Sequence, residues 1–253
     1  MTNPAKNEPF RFQQFAIADD GAAMKIGTDA VLLGSWTPLR QAKTILDIGT
    51  GCGIVALMLA QRSVSFASQI SAIDIDQGAA QQALANFQES PWPNRLPVCA
   101  AEIHQSLQQF VDQDQSQGFD LIVCNPPFFE PNFAAVDPSR AKARSTQTLT
   151  RASLLSCAKS FFDDLGRLSI IIPYDQAAAT IADAEVSGYH LWSRTDVRPT
   201  PISSLKRSLL EFGLSASNSD ELTHGELIVE TLRHVYSDNY RELTQNFHLR
   251  YAK

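Results

Sequence analysis

Four residues directly after the apolar run at positions 119–124 carry groups that could hold a planar amine. They are Asn125, Pro126, Pro127 and Phe128. The side-chain oxygen of Asn125 and the carbonyl oxygen of Pro126 are acceptors, and proline has no amide hydrogen that would compete with an incoming donor. Two acceptors facing an NH2 group would localise the nitrogen lone pair, while the ring of Phe128 could stack on the attached ring. The alternative is a strand that ends in a proline-stiffened turn.

A glycine-rich segment upstream indicates a cofactor site. Residues 44–53 comprise an apolar strand that runs into Gly49, Gly51 and Gly53, and a helical pattern follows. Glycines permit positive φ angles and let a ligand approach the main chain closely. Their spacing is not the Gly-x-Gly-x-x-Gly of dinucleotide-binding enzymes, and the carboxylate of Asp47 would repel a pyrophosphate. The segment therefore favours a ligand with an amino group or a positive charge, such as S-adenosylmethionine.

Two further strand ends place acids where parts of such a ligand could bind. Asp74 ends the second strand, where a carboxylate can accept hydrogen bonds from both ribose hydroxyls. Asp76 is better interpreted as the N-cap of the following helix. After the third strand, Glu102 could accept from an adenine amino group and Ile103 could cover the adenine ring. Capping of a helix is an equal alternative for Glu102.

These motifs resemble those of the class I S-adenosylmethionine-dependent methyltransferases that act on exocyclic or amide nitrogens. The glycine segment, Asp74 and the Asn-Pro-Pro-Phe tetrad occur in the order and approximate spacing of that group. Residues 10–15, 24–34 and 243–247 are also similar to the bacterial tRNA1(Val) adenine-37 N6-methyltransferase family. The resemblance thus covers nearly the whole chain.

The resemblance implies a reaction, which is transfer of a methyl group from S-adenosylmethionine to the exocyclic N6 of an adenine in a tRNA anticodon loop. S-adenosylhomocysteine is the other product. The tetrad would hold the adenine, and Gly27, Thr28 and Asp29 would lie near the methionine end of the cofactor. A helix capped by Thr28 or Asp29 is an alternative that is compatible with this role. The chain departs from the family pattern at Phe128, where tyrosine is common, and at Glu102, where aspartate is common.

The alternation of strand-like and helical patterns predicts an α/β, Rossmann-like fold. The resemblance adds a seven-stranded, mostly parallel sheet with an antiparallel edge strand, helices on both faces and the ligand at the carboxyl ends of the strands. We expect a single domain overall. Within it, residues 1–43 would form a segment that covers the cofactor, and residues 44–253 the methyltransferase domain.

Length and composition agree with one globular enzyme domain. The chain has 253 residues, of which 44% are hydrophobic and 19% charged, as is usual for soluble proteins. No signal peptide or membrane-spanning run is visible, which predicts a cytoplasmic location. The four cysteines and five histidines show no metal-ligand spacing, so we expect no metal. Nothing in the sequence decides the oligomeric state, and a monomer is the default.

The charge distribution favours RNA as the substrate more than the net charge does. The formal net charge is −6, but no acid occurs between positions 138 and 162. Five basic residues lie there: Arg140, Lys142, Arg144, Arg151 and Lys159. A second concentration contains Arg194, Arg198, Lys206 and Arg207, with Asp196 among them. We expect Arg140, Lys142, Arg144 and Arg151 to contact the RNA backbone. The alternative is a solvated loop and helix face.

Other functions share parts of this pattern. A protein glutamine N5-methyltransferase would present the same planar NH2 group to the tetrad, and a DNA or rRNA adenine methyltransferase would present the same base. A DNA enzyme usually needs an added recognition domain, for which the chain has no room. A non-enzymatic alternative is an RNA-binding module with a vestigial cofactor site. Retention of both the glycine segment and the tetrad argues against it.

Overall fold

The computed structural model describes residues 8–18, 27–100, 118–126, 149–216 and 223–248. Its helices are α1 (Thr28–Trp36), α2 (Ile54–Arg62), α3 (Gln77–Gln88), α4 (Arg151–Phe161), α5 (Ala177–Val186) and α6 (Asp238–Thr244). Its first six strands are β1 (Phe10–Arg11), β2 (Ala16–Ile17), β3 (Thr44–Ile48), β4 (Gln69–Asp74), β5 (Val98–Ala100) and β6 (Phe119–Cys124). The others are β7 (Phe162–Pro173), β8 (His190–Arg198), β9 (Arg207–Gly213), β10 (Thr223–Ile228), β11 (Glu230–Leu232) and β12 (Val235–Tyr236).

Eight strands form one sheet, in the order β10-β8-β9-β7-β6-β3-β4-β5. Strand β9 is antiparallel to both of its neighbours, and the other neighbouring pairs are parallel. The mostly parallel, Rossmann-like class is therefore confirmed.

Two details of the sheet differ from the expectation. The antiparallel strand lies inside the sheet, between β7 and β8, and not at an edge. Strand β10 adds an eighth strand, which covers the hydrogen-bonding edge of β8. Only one of the six residues of β10 is buried, so the segment lacks the apolar run by which a buried strand is recognised in a sequence.

Both faces of the central strands are buried. In β6, Leu121 and Val123 belong to the core that includes residues of α1 and α2, whereas Ile122 and Cys124 belong to the core that includes residues of α4 and α5. Successive side chains of a strand point to opposite faces, so helices must cover both sides of this sheet. The central strands are continuous apolar runs in the sequence for that reason.

The two ends of the described chain pack against each other. The side chain of Gln13 donates to the carbonyl oxygens of Gln245 at 2.6 Å and His248 at 2.8 Å. The main-chain amide of Gln13 donates to the carbonyl oxygen of Phe247 at 2.9 Å. The two terminal segments that carry the family resemblance therefore meet in space.

Candidate functional site

The carboxyl ends of three neighbouring strands bring predicted site residues to one edge of the sheet. Ile48, the last residue of β3, is paired in register with Ile73 of β4 and Cys124 of β6. The next residues along these three strands are Gly49, Asp74 and Asn125. Neighbouring strands lie about 4.8 Å apart, so Asp74 and Asn125 flank the start of the glycine loop at a separation on the order of 10 Å.

The glycine loop adopts the backbone conformation that its sequence predicts. Gly49, Gly51 and Gly53 have φ angles of 70°, 57° and 86°, in the left-handed region that favours glycine. Among the described residues, a Cβ added at Gly49 or Gly51 would have no atom within 4 Å, whereas one at Gly53 would lie 2.4 Å from the ring of Phe87. The first two glycines therefore leave open space beside the main chain, and the third permits close packing.

The carboxylate of Asp47 lies beneath this loop. Asp47 is 1% exposed, and the hydroxyl of Thr50 donates to its carboxylate at 2.7 Å. Burial raises the pKa of Asp47 to about 7, although hydrogen bonds from Thr50 and from the main chain of Ala56 oppose the rise. The sequence predicts that Asp47 faces the amino group of a ligand. In this structure its carboxylate also supports the shape of the loop, through the hydrogen bond from Thr50.

Asp74 lies at the same edge and can accept further hydrogen bonds. One carboxylate oxygen accepts from the amide of Gly51 at 2.8 Å and the other from the amide of Asp76 at 2.9 Å. Each oxygen has a second lone pair, so both are able to accept a ribose hydroxyl. Burial raises the pKa of Asp74. The carboxylate of Asp76 accepts from the amides of Gly78 and Ala79, which confirms that Asp76 caps α3.

The amine-binding tetrad begins where β6 ends. Asn125 is half-buried and Pro126 is buried. The strand before them is buried from position 121 to position 124, so the sheet determines where the Asn125 amide lies. Several predicted site residues lie outside the described residues, namely Pro127, Phe128, Glu102, Ile103, Arg140, Lys142 and Arg144.

An ion pair holds the start of α1 near the carboxyl ends of the parallel strands, beside β7 and β9. Gly27 is the N-cap of α1, and no side chain of a described residue caps this helix, so capping by Thr28 or Asp29 is not observed. Asp29 instead accepts from the guanidinium of Arg207 at 2.8 Å. Arg207 is the first residue of β9, and because β9 is antiparallel it starts at the carboxyl end of β7. The ion pair thus brings residues 27–29 to the edge where Asn125 lies.

Ion pairs neutralise most of the described basic residues in the two concentrations. Arg151, the first residue of α4, pairs with Asp183 of α5 at 2.9 Å. Three arginines of the second concentration also pair with acids: Arg194 with Asp196, Arg198 with Glu226 and Arg207 with Asp29. Lys206 is exposed, and no ion pair to it is found in the described part of the chain. The sequence could not reveal this, since Glu226 and Asp29 are remote from their partners along the chain.

Asn86 is a site-supporting residue that the sequence analysis missed. Its side-chain amide donates to the carbonyl oxygens of Ala18 at 2.9 Å and Cys52 at 2.8 Å, and its side-chain oxygen accepts from the amide of Ala18 at 3.1 Å. Asn86 therefore joins the N-terminal segment to the glycine loop. Its position in α3 gave a signal, because it lies on the same helix face as the buried Ala79 and Ala83. A polar residue on an apolar face indicates a buried hydrogen-bonding role.

The described residues fit S-adenosylmethionine. Open space beside Gly49 and Gly51 admits a ligand to the main chain, and Asp74 offers lone pairs to a ribose diol. Among the residues that the structure describes, no three His, Cys, Asp or Glu side chains are grouped to hold a metal ion. Nor does that part of the chain contain a helix of the length and hydrophobicity needed to cross a bilayer.

Comparison with solved structures supports the fold. A predicted O-methyltransferase from Agrobacterium tumefaciens matches with a TM-score of 0.63 and 20% identity, over 87% of this chain and 96% of that one. The methyltransferase subunit of a type I restriction-modification system from Streptococcus thermophilus matches with a TM-score of 0.59 and 14% identity, over 88% of this chain and 52% of that one. At these identities the likeness shows the fold alone.

Comparison of sequences is more specific. A family model described as "Methyltransferase small domain" matches residues 22–195. The tRNA1(Val) (adenine(37)-N6)-methyltransferase of Serratia proteamaculans is 41% identical over 96% of this chain and 90% of its own length. A protein of the same name from Flavobacterium psychrophilum is 41% identical over 95% of this chain and 99% of its own length. With relatives this similar along almost its entire length, the chain belongs to the tRNA1(Val) (adenine(37)-N6)-methyltransferase family.

Proposed function

We propose that this protein transfers a methyl group from S-adenosylmethionine to the exocyclic N6 of adenine 37 in the anticodon loop of tRNA1(Val). The observation that carries the proposal is the single sheet edge that holds Gly49, Asp74 and Asn125, in a chain 41% identical to relatives of that name. Such an edge, at the carboxyl ends of parallel strands, is where this class of fold binds ligands. The cytoplasm, where tRNA is modified, is the proposed location.

The residues that would hold the cofactor lie along this edge. The main chain at Gly49 and Gly51 would face it, and Asp74 would accept the ribose hydroxyls. The remaining assignments stay as the resemblance implies them: Glu102 and Ile103 at the adenine, and Gly27, Thr28 and Asp29 at the methionine end. When bound, the cofactor supplies a methyl group on a positively charged sulfur, which is already strongly electrophilic.

The contribution of the chain to the reaction is the orientation of the amine. The side-chain oxygen of Asn125 and the carbonyl oxygen of Pro126 would each accept one hydrogen of the adenine NH2 group. The nitrogen lone pair is then directed away from the ring, which stabilises the transition state for transfer. Pro127 would stiffen this turn and Phe128 would stack on the adenine. The surplus proton can leave to water, so no dedicated base is proposed.

Basic residues at this edge would contact the RNA. We assign phosphate contacts to Arg140, Lys142, Arg144 and Arg151. A crossover helix between parallel strands starts at their carboxyl ends, so Arg151, the first residue of α4, lies on the side of the sheet that carries the site. Its ion pair with Asp183 is partly exposed, and such pairs contribute only about 0–1 kcal/mol. Exchange of Asp183 for a phosphate therefore costs little.

The N-terminal segment would cover the cofactor. Asn86 joins Ala18 to the carbonyl oxygen of Cys52 in the glycine loop, so the N-terminal segment reaches that loop at Ala18. This supports the assignment of residues 1–43 as a cover for a methyltransferase domain at residues 44–253, within a single domain overall.

Incubation of the purified protein with methyl-labelled S-adenosylmethionine and tRNA from cells that lack this enzyme tests the proposal. Digestion of the tRNA should yield labelled N6-methyladenosine, from tRNA1(Val) alone, at position 37. Parallel reactions with DNA, rRNA and a glutamine-containing protein substrate distinguish the alternative functions. Label in another nucleoside, or in protein, would refute the assignment. Failure to bind S-adenosylmethionine in calorimetry would favour the non-enzymatic alternative.

A further inference from the structure

We propose that a groove at the carboxyl end of β7 binds a nucleotide that neighbours the target adenine, with Tyr174 stacked on its base and Lys206 against its phosphate. This inference rests on the proposed function, because it places another part of the same RNA. The groove has a volume of about 290 Å³ and lies between the end of β7 and the start of β9. None of the described residues that line it belongs to the amine-binding tetrad or the glycine loop.

The register of the sheet places this groove beside Asn125. Cys124, the last residue of β6, is paired with Ile170 of β7, whereas β7 continues to Pro173. Three residues of a strand span roughly 10 Å, so β7 projects beyond the level of Cys124 by about that distance. Tyr174 follows Pro173 directly, one strand to the side of the amine-binding turn. This offset suits a nucleotide adjacent to the target and not the target itself.

Tyr174 has the properties of a stacking platform. It is 37% exposed, although it is a large aromatic residue, and it is the first residue of a short 3-10 helix. The guanidinium carbon of Arg194 lies 5.6 Å from the centre of its ring, and Arg194 is in turn held by Asp196 at 2.9 Å. Contact with a cation fixes the position of an aromatic ring. Unpaired bases of RNA loops are commonly bound by stacking on such rings.

Lys206 supplies the positive charge of the groove. The amide of Tyr174 donates to the carbonyl oxygen of Lys206 at 3.1 Å, so the two residues are adjacent across the groove. Arg207 also lines the groove, but Asp29 neutralises it. Asp175 also lines the groove. Its negative charge weakens the nonspecific attraction of polyanions to this surface. The chemistry therefore matches one stacked base with a single phosphate contact.

The test compares variants in RNA binding and in methylation of an anticodon stem-loop. Tyr174→Ala should weaken RNA binding and lower kcat/KM about tenfold, and Tyr174→Phe, which keeps the ring, should stay within about twofold of the original protein. Affinity for S-adenosylmethionine should be unchanged in both variants. Lys206→Ala should reduce the slope of log affinity against log salt by about 0.7, as expected for one lost phosphate contact with a single strand. Lys43→Ala is the matched control. Lys43 is exposed and directly precedes β3, so it lies at the amino ends of the parallel strands, away from the site.

Stem-loops that lack one base identify the stacked nucleotide. The effect of Tyr174→Ala should vanish for the RNA without the base that stacks on Tyr174, and persist for RNAs without other bases. An equal effect on every such RNA, or unchanged RNA binding by Tyr174→Ala, would overturn the inference. If the original protein binds the RNA but methylates none, the proposed function fails, and the binding measurements still decide whether the groove holds a nucleotide.

Discussion

The ring of Phe87 occupies the space that a side chain at Gly53 would need. A Cβ at Gly53 would lie 2.4 Å from Cε1 and 2.8 Å from Cζ of this ring. Phe87 is 1% exposed, so it cannot move aside without disturbing the core. Gly53 thus joins the glycine loop to α3 through packing. At Gly51, in contrast, no atom of the described residues lies within 4 Å of the place where a Cβ would be.

We expect substitutions at these two glycines to separate stability from cofactor binding. Gly53→Ala should destabilise the protein by about 3 kcal/mol, from overpacking against Phe87 and from strain at its positive φ. Gly51→Ala should cost only about 1 kcal/mol in strain but weaken S-adenosylmethionine binding, because its methyl group enters the open space. Urea denaturation and calorimetry measure the two effects. Equal losses of stability, or undiminished cofactor affinity in Gly51→Ala, would contradict the assignment.

Removal of the Asn86 amide should loosen the N-terminal segment. Asn86→Ala leaves the carbonyl oxygens of Ala18 and Cys52 and the amide of Ala18 without their partner. At about 1 kcal/mol for each lost hydrogen bond, the free energy of unfolding should fall by about 3 kcal/mol. Hydrogen exchange at residues 16–18 should accelerate. Gln88→Ala, an exposed change on the same helix, is the control and should alter neither quantity. Unchanged hydrogen exchange at residues 16–18 in Asn86→Ala would show that Asn86 does not hold the N-terminal segment in place.

Loss of the Asn125 amide should affect turnover and not cofactor binding. Asn125→Ala removes one of the two acceptors that would orient the amine, and a loss of about 10²–10³ in kcat is expected. Calorimetry should show unchanged affinity for S-adenosylmethionine. Asn94→Ala, at an exposed asparagine in the turn before β5, controls for the substitution itself. A parallel loss of cofactor affinity in Asn125→Ala would reject the role given to this side chain.

The buried carboxyl of Asp47 should make stability depend on pH. Burial raises its pKa from 3.8 to about 7, so the folded state retains this proton more strongly than the unfolded state does. The contribution of Asp47 is therefore most favourable below about pH 4, falls as the pH rises to about 7, and is constant above that. Asp47→Asn lacks this titration. The stability of the variant relative to the original protein should rise by up to about 4 kcal/mol across this window.

Urea denaturation at several pH values, without cofactor, measures this difference directly. Other titrating groups are common to both proteins and cancel in the comparison. A difference between Asp47→Asn and the original protein that does not change with pH would show that Asp47 is not held protonated by burial.

Local sequence determined the elements and the order of the site residues. The apolar runs that became β3, β4 and β6 are each followed by a residue assigned to the site, and parallel strands necessarily align such residues at one edge. The cap at Asp76 was predictable because capping depends only on the next three residues. The roles of Gly49 and Gly51 followed from the backbone freedom of glycine, which is also a local property.

Contacts between distant parts of the chain decided the rest. The carboxylate of Asp47 is enclosed by the fold, and its raised pKa reflects the burial that the segments packed around it produce. Arg198 and Arg207 look available for RNA in the sequence but pair with Glu226 and Asp29. Strand β10 exists because the edge of β8 offers it hydrogen bonds, and not because of its own pattern. Sequence patterns record local geometry and hydrophobicity, whereas burial and charge pairing depend on which distant segments the fold brings together.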